Sequence, residues 1–401
     1  MKKKLKKTIK FYSHPIRFFK DSWLFKHQHL EEQHKTKNLF VISHLGQLAQ
    51  VEALIKKEAF LNCVLVILYT RKNRKMPELT RKNANKLLFR RVLLLEIPTY
   101  PNKIYIKNLM QMNNSYQRMI DEIKPHRLFV FSFEKHYGML LAYAEKKKIE
   151  VNLIEEGTAT YKYDSIEEAN EKIKNSFSFK EKLKARLILT LPLLSDLRPS
   201  LSVYNRFNTI YSVDSKALEK VFFAKNYKYF FLYENIETDV LVKSIQQKYK
   251  ITSQDIIFLN QRYPFPVNIY ADILIDILKS HKPSGSKVFL KLHPKDTEEL
   301  KAALKNAINE EHLIPQFVLI EESGFLVENL IHFTKPKQVI ALTSTGLVYA
   351  PKTSQETEAI SIYPLLRQKM LEKIPYSDSV FKESDEHFHI LQKFSGIHFL
   401  E

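Results

Sequence analysis

The sequence predicts an α/β protein of two doubly wound units facing each other across a cleft. Three observations carry that prediction. Short, almost wholly apolar runs such as Asn62–Tyr69 recur along the chain, the composition of parallel strands covered on both faces. Each run is followed by a longer stretch of helical character, the alternation of a parallel sheet. That alternation gives way after residue 161 to a basic helical stretch and resumes near Ser253, so the chain contains it twice.

In chain order, residues 1–37 stand apart. Lysines mix there with Leu5, Ile9, Phe11, Tyr12, Phe18, Phe19, Trp23 and Phe25, and Pro15 interrupts any single long helix. Basic residues interleaved with bulky aromatics suit an interfacial membrane segment; a solvated tail with aromatics docked on the body is the other reading. The first unit, residues 38–205, opens with strand, tight loop and helix through Ser43-His44-Leu45-Gly46-Gln47, the helix running to about Phe60. Strands follow at 62–69, 92–97, 126–133 and 151–154, with helices over 105–123 and 136–148. The run 162–205 reads as helical and basic, a connector or a lid. The second unit, residues 206–401, has weak strands at 204–212 and 227–232. Its clearer strands are 255–259, 287–292, 317–320, 338–342 and 358–363, with helices over 268–279, 297–309 and 325–331.

Composition narrows the function. The chain has 401 residues, 44% hydrophobic, enough for two real cores. Sixty-three Lys and Arg against 44 Asp and Glu give +19, which calls for an anionic partner. One cysteine, Cys63, excludes internal disulfides and fits a reducing compartment; it lies in an apolar run and reads as core. No apolar run is long enough for a spanning helix, and the N-terminus lacks the apolar region of a secretory signal, so an intracellular location is expected. Asp-x-Asp and convincing metal-ligand spacings are absent, as are a Walker A loop and Gly-x-Gly-x-x-Gly. No nucleic-acid recognition motif accompanies the positive charge.

Three constellations stand at predicted carboxyl ends of strands, where open α/β sheets bind ligands. The run Val151–Ile154 ends in Glu155-Glu156-Gly157. Adjacent carboxylates repel, and a partly buried one has its pKa raised towards the range of a general base; a surface Glu-Glu-Gly turn is the alternative. Gly157 allows a positive φ and a close approach of substrate. The second is His293-Pro294, flanked by Lys291 and Lys295: an imidazole and two ammonium groups suit a phosphate, while a histidine satisfied locally is the plainer reading. The third is Ser344-Thr345, where hydroxyls and free N–H groups at a helix N-terminus either bind an anion or simply cap the helix. A base facing a phosphate cradle across a cleft would suit a nucleotide-sugar glycosyltransferase.

These residues, with their surroundings, resemble the bacterial capsular polysialyltransferases, glycosyltransferase family 38. The resemblance covers most of the chain. It includes His14-Pro15-Ile-Arg-Phe-Phe-Lys-Asp-Ser-Trp23, Ser43-His-Leu-Gly-Gln47 and Leu153-Ile-Glu-Glu-Gly-Thr-Ala-Thr-Tyr-Lys162. It continues in Gln261-Arg-Tyr263, Lys291-Leu-His-Pro-Lys-Asp-Thr297 and Leu342-Thr-Ser-Thr-Gly-Leu-Val-Tyr-Ala350. Leu292 stands where the family can have proline, which leaves His293 intact.

The resemblance implies a GT-B type fold, two Rossmann-like domains, a CMP-sialic acid donor and inversion at the anomeric carbon; from the missing metal-ligand spacings no cofactor or metal is expected. It implies Glu155 as general base, with Glu156 in reserve or holding the loop. It gives His293 the departing phosphate, and Ser344 and Thr345 that phosphate or nearby groups. Gly46, Gln47, Asn260 and Gln261 become cleft residues. A polymer with one carboxylate per sugar would occupy a basic groove, for which Arg71, Lys72, Arg74, Lys75, Arg81 and Lys82 are candidates. The expected partners are CMP-sialic acid, an oligo- or polysialic acid acceptor on a lipid carrier, anionic inner-membrane lipids and other capsule synthesis and export proteins, not nucleic acid. The expected location is the inner face of the cytoplasmic membrane, held peripherally. A lipooligosaccharide sialyltransferase adding one sugar is the alternative.

Overall fold

Two parallel sheets organise the chain. The first has seven strands: β1 (Asn38–Ile42), β2 (Cys63–Thr70), β3 (Phe89–Ile97), β4 (Arg127–Val130), β5 (Glu150–Ile154), β6 (Arg206–Ser212) and β7 (Phe223–Tyr229), in the order β3-β2-β1-β4-β5-β6-β7. The second has six: β8 (Ile256–Leu259), β9 (Val288–Lys291), β10 (Phe317–Ile320), β11 (Gln338–Ala341), β12 (Glu358–Ser361) and β13 (Ile397–Phe399), in the order β10-β9-β8-β11-β12-β13. This computed structural model describes residues 37–70, 74–99, 103–234, 240–261, 263–293, 296–322, 325–374 and 378–401. The expected membrane segment, apart from Lys37, and the candidate residues Arg71, Lys72, Pro294 and Lys295 lie outside them.

The strand composition has a direct cause. Alternate side chains leave opposite faces of a strand, and here both faces are covered. Phe40 and Ile42 pack with Leu48, Val51 and Leu54 of the Leu45–Glu58 helix on one face. Leu39 and Val41 pack on the other face with Leu109, Met112 and Tyr116 of the Ile106–Ile123 helix. The second lobe repeats the device, with Ile256, Phe258, Val288 and Leu290 against the Val267–His281 and Glu298–Glu310 helices.

The expected boundary at residue 205 moves. β6 and β7 pair in parallel beyond β5, so the first sheet runs to Tyr229. The helices Ile166–Asn175 and Phe179–Thr190 are no lid: Ala169, Ala185 and Ile188 are buried in the core that covers the first sheet. The Lys75–Asn83 helix and the short β13 were not anticipated, and the weak strand expected at 227–232 is β7, which begins at Phe223.

Each sheet reverses direction once. The first does so between β1 and β4, the second between β8 and β11. Ligands bind in doubly wound sheets at the carboxyl ends beside such a reversal. The candidate residues follow β1, β2 and β5 in one lobe and β8, β9 and β11 in the other.

Candidate active site

Glu155 continues β5 by one residue, its N–H donating to the Tyr211 carbonyl at 2.9 Å. That position turns its side chain inward, and it is only 5% exposed. The Tyr161 hydroxyl and the Val213 N–H, the latter at 2.7 Å, both donate to Oε2. Oε1 accepts from the Tyr349 hydroxyl at 2.9 Å, and Tyr349 belongs to the other lobe. Burial pushes the Glu155 carboxyl up to about 7, while the three donors pull the other way. Water is excluded more strongly than the hydrogen bonds compensate, which leaves a carboxylate whose proton exchanges near neutrality.

Glu156, one residue on, points the opposite way, and its side chain is 35% exposed. Its Oε1 accepts from Gln47 Nε2 at 2.5 Å and lies 2.9 Å from His44 Nε2. Gln47 is itself held, since its Oε1 accepts from the Ser43 N–H at 2.7 Å. His44 stands immediately before the Leu45–Glu58 helix, and a Cβ on Gly46 would come 3.3 Å from its Nδ1. Glycine at 46 therefore makes room for the ring that faces Glu156. The Glu156 N–H donates to Thr160 Oγ1 at 2.8 Å, closing the turn.

Gly157 has φ +60°, the left-handed region that glycine adopts without strain. A Cβ there would lie 3.3 Å from Thr345 Cγ2 of the second lobe. Next to it, the hydroxyls of Thr158 and Thr345 are 3.1 Å apart. Thr345 stands immediately before the Gly346–Thr353 helix, and Tyr349 lies one turn further on. Residues four apart share a helix face, so Thr345 and Tyr349 present one face to the Glu-Glu-Gly turn. Ser344 Oγ accepts from the Gly346 N–H at 3.2 Å.

The remaining second-lobe candidates are held by their own neighbours. Asn260 is buried; its Nδ2 donates to Asp296 Oδ2 at 2.6 Å and its Oδ1 accepts from the Tyr270 hydroxyl. Asp296 Oδ2 also accepts from the His293 N–H at 2.8 Å, so Asn260 braces the turn that carries the half-buried His293. Gln261 Oε1 accepts from Tyr263 and Thr343, bracing the Thr343–Thr345 loop in the same way. Lys291 departs from its expected direct role: its ammonium donates to the Leu292 carbonyl at 2.8 Å and lies 4.9 Å from the Phe325 ring, with burial lowering its pKa. Arg74, Lys75, Arg81 and Lys82 are exposed just beyond the carboxyl end of β2, with Arg81 3.8 Å from Glu78.

Sequence reasoning missed His44, Tyr161 and Tyr349. All three lie inside motifs that were singled out, so their proximity to the constellations was a signal. What was missing was the knowledge that the motifs touch.

Two doubly wound lobes, with a carboxylate pair on one carboxyl edge and a hydroxyl and imidazole set on the other, make a two-domain α/β fold of the GT-B type. The profile of the family described as alpha-2,8-polysialyltransferase matches residues 38–363. The chain belongs to that family, whose members are sialyltransferases. Among solved structures it is similar to UDP-GlcNAc 2-epimerase from Neisseria meningitidis bound to UDP-GlcNAc, with TM-score 0.49, 12% identity, and 89% of this chain and 100% of that one covered. It is also similar to UDP-GlcNAc 2-epimerase from Methanocaldococcus jannaschii, with TM-score 0.48, 11% identity, and 89% and 92% covered. Acinetobacter baumannii MurG gives TM-score 0.47 at 10% identity, with 91% and 86% covered. No curated protein matches the chain.

Proposed function

We propose that the protein transfers sialic acid from CMP-sialic acid to the non-reducing end of a growing capsular polysialic acid chain, with inversion and without a metal ion. The observation that carries this is the meeting of the two halves of one site. The Glu-Glu-Gly turn of one lobe touches Thr345 of the other, and Tyr349 beside it hydrogen-bonds Glu155. These contacts support a reading in which Glu155 and the loop carrying Ser344 and Thr345 share one sugar nucleotide.

The chemistry follows. Glu155 takes the proton of an acceptor hydroxyl, and the freed oxygen attacks the anomeric carbon of the donor. The bond from that carbon to the CMP phosphate oxygen breaks, and its electron pair leaves with CMP. One displacement inverts the carbon. The Tyr349 hydroxyl on Oε1 occupies the position that an acceptor hydroxyl would take, so Tyr349 moves aside when acceptor enters. His293 and the hydroxyls of Ser344 and Thr345 meet the charge that develops on the phosphate, where stabilisation speeds the reaction only if it strengthens towards the transition state. His44 and Gln47 fix Glu156, which is half-buried and positions the acceptor. Arg74, Lys75, Arg81 and Lys82, with Arg71 and Lys72, form one wall for the anionic polymer.

Incubating the protein with CMP-sialic acid and a short oligosialic primer should give a ladder of products. A single addition would turn the reading towards a lipooligosaccharide sialyltransferase, and no turnover would remove it. Activity should persist in EDTA. Glu155→Gln and His293→Ala should each lower kcat by about a hundredfold or more, the scale expected for general acid–base groups. Full activity in either folded variant would overturn the role given to that residue.

A further inference from the structure

The Phe179–Thr190 helix is apolar on two opposite faces. Ala185 and Ile188 are buried against the first lobe. Phe179, Leu183 and Leu187, four residues apart and therefore in one stripe, face water instead. Leu189, near the end of the helix, and Leu191 and Leu193 in the segment that follows are also exposed, and Phe179 and Leu193 reach 85% and 87%. A helix apolar on both sides ordinarily has both sides covered.

Charge says what covers the second face. Between residues 176 and 195 the basic residues are Lys180, Lys182, Lys184 and Arg186, and the one acidic residue is Glu181. Glu181 is buried: its Oε2 accepts from Ser178 and its Oε1 from the Ile104 N–H at 3.2 Å. Lys184 donates to the Ile104 carbonyl at 2.9 Å. The exposed Lys180, Lys182 and Arg186 therefore rim the apolar stripe with positive charge, and the first carboxylate past it, Asp196, accepts from Gln117 Nε2 at 3.3 Å. A second copy of the chain pairing through this face would bring those cations against their own equivalents. An anionic lipid surface satisfies both the apolar stripe and its rim.

We propose that the helix Phe179–Thr190 and the turn through Leu193 form a membrane-docking surface that inserts Phe179, Leu183 and Leu193 among the acyl chains of anionic lipids. This assigns lipid contact to a folded element of the first lobe, independently of residues 1–36 and of the transferase reading. It also sets the orientation. Ile104, to which this helix is bonded, lies in the loop after the carboxyl end of β3, the same edge of the sheet that carries Glu155. Docking here brings that edge towards the bilayer, where a lipid-borne acceptor would arrive.

The test uses the full chain and one reporter at a time. Cys63 is buried, so a cysteine placed at Leu193 labels selectively with an environment-sensitive fluorophore. On phosphatidylcholine vesicles containing phosphatidylglycerol, the label of Leu193→Cys should shift to the blue and be quenched by lipid-borne nitroxide. The same label at the exposed Leu87, before β3, should stay in water. Replacing Phe179, Leu183 and Leu193 together by Ser should lower partition into these vesicles at least tenfold while transfer to a water-soluble primer is unchanged. A vesicle-bound protein whose label at 193 remains in water, or a chain that does not bind the vesicles, overturns the proposal. So does a blue shift that appears without lipid as protein concentration rises, which would make a second copy the occupant.

Discussion

Adjacent in sequence, Glu155 and Glu156 differ in every physical respect that matters for their roles. Burial holds the Glu155 carboxyl near 7, well above its value in an unfolded chain. The folded state therefore binds more protons than the unfolded one between those two values, and stability falls as pH rises through that window. Glu155→Gln removes the titration. Relative to wild type, the variant should gain stability from pH 5 to pH 8, by roughly 3 kcal/mol at most, as read from the difference in Tm at the two pH values. As the proposed general base, the same group should give kcat/KM an acidic limb near 7 in the wild type. Glu156→Gln should keep that limb and raise the acceptor KM, as should His44→Ala, which removes the ring facing Glu156. If Glu156→Gln abolished the limb instead, the two carboxylates would have to exchange roles. At this scale the sequence displayed the carboxylates, the histidine and the hydroxyls, because strand ends advertise them. It did not display Tyr161 and Tyr349, the hydroxyls that hold Glu155, because the second is 194 residues away and meets it only through packing.

Strands and helices were legible where both faces of an element are buried. β1, β2, β5 and β9 are nearly continuous apolar runs for that reason. β7, Phe-Ala-Lys-Asn-Tyr-Lys-Tyr, is an edge strand with most of its residues exposed, so it offers no such run and its membership of the first sheet had to come from pairing. β13 is three residues long and gives no periodicity at all. Close approaches between elements were equally hidden. A Cβ on Gly138, in the His136–Lys146 helix, would stand 2.1 Å from the Pro199 carbonyl oxygen of the segment packed across it. Backbone cannot yield as a side chain can, so Gly138→Ala should destabilise by about 1–3 kcal/mol or more, seen as a fall in Tm. Gly46→Ala makes the informative contrast. Its Cβ meets the movable His44 ring at 3.3 Å, so Tm should change little while the acceptor KM rises. Equal losses of stability in both variants would mean that the loop at Gly46 is as tightly built as the crossing at Gly138.

Two properties belong to the molecule rather than to any element. One is the charge of +19, which on the proposed function would meet an acceptor bearing a carboxylate on every sugar. Exposed charges are screened within about 8 Å at physiological salt, and longer primers engage more of them. The acceptor KM should therefore rise more steeply with salt for long primers than for short ones; equal slopes would place the polymer away from the basic residues beyond β2. The other property is how the lobes are joined. Tyr349 to Glu155, Thr158 to Thr345 and Lys393 to the Tyr161 carbonyl, at 2.9, 3.1 and 2.7 Å, all run between them. The first of these bonds ties lobe position to acidity, since the Tyr349 hydroxyl lowers the Glu155 pKa. Tyr349→Phe keeps the buried ring and deletes only the donor. The Glu155 pKa should then rise, and the acidic limb of kcat/KM, which reports the free enzyme, should move to higher pH. Small-angle scattering of the unliganded variant should show a larger radius of gyration if this bond helps to hold the cleft closed. A limb that stays in place would mean that Tyr349 already stands away from Glu155 in solution, and that the acceptor enters a site open from the start.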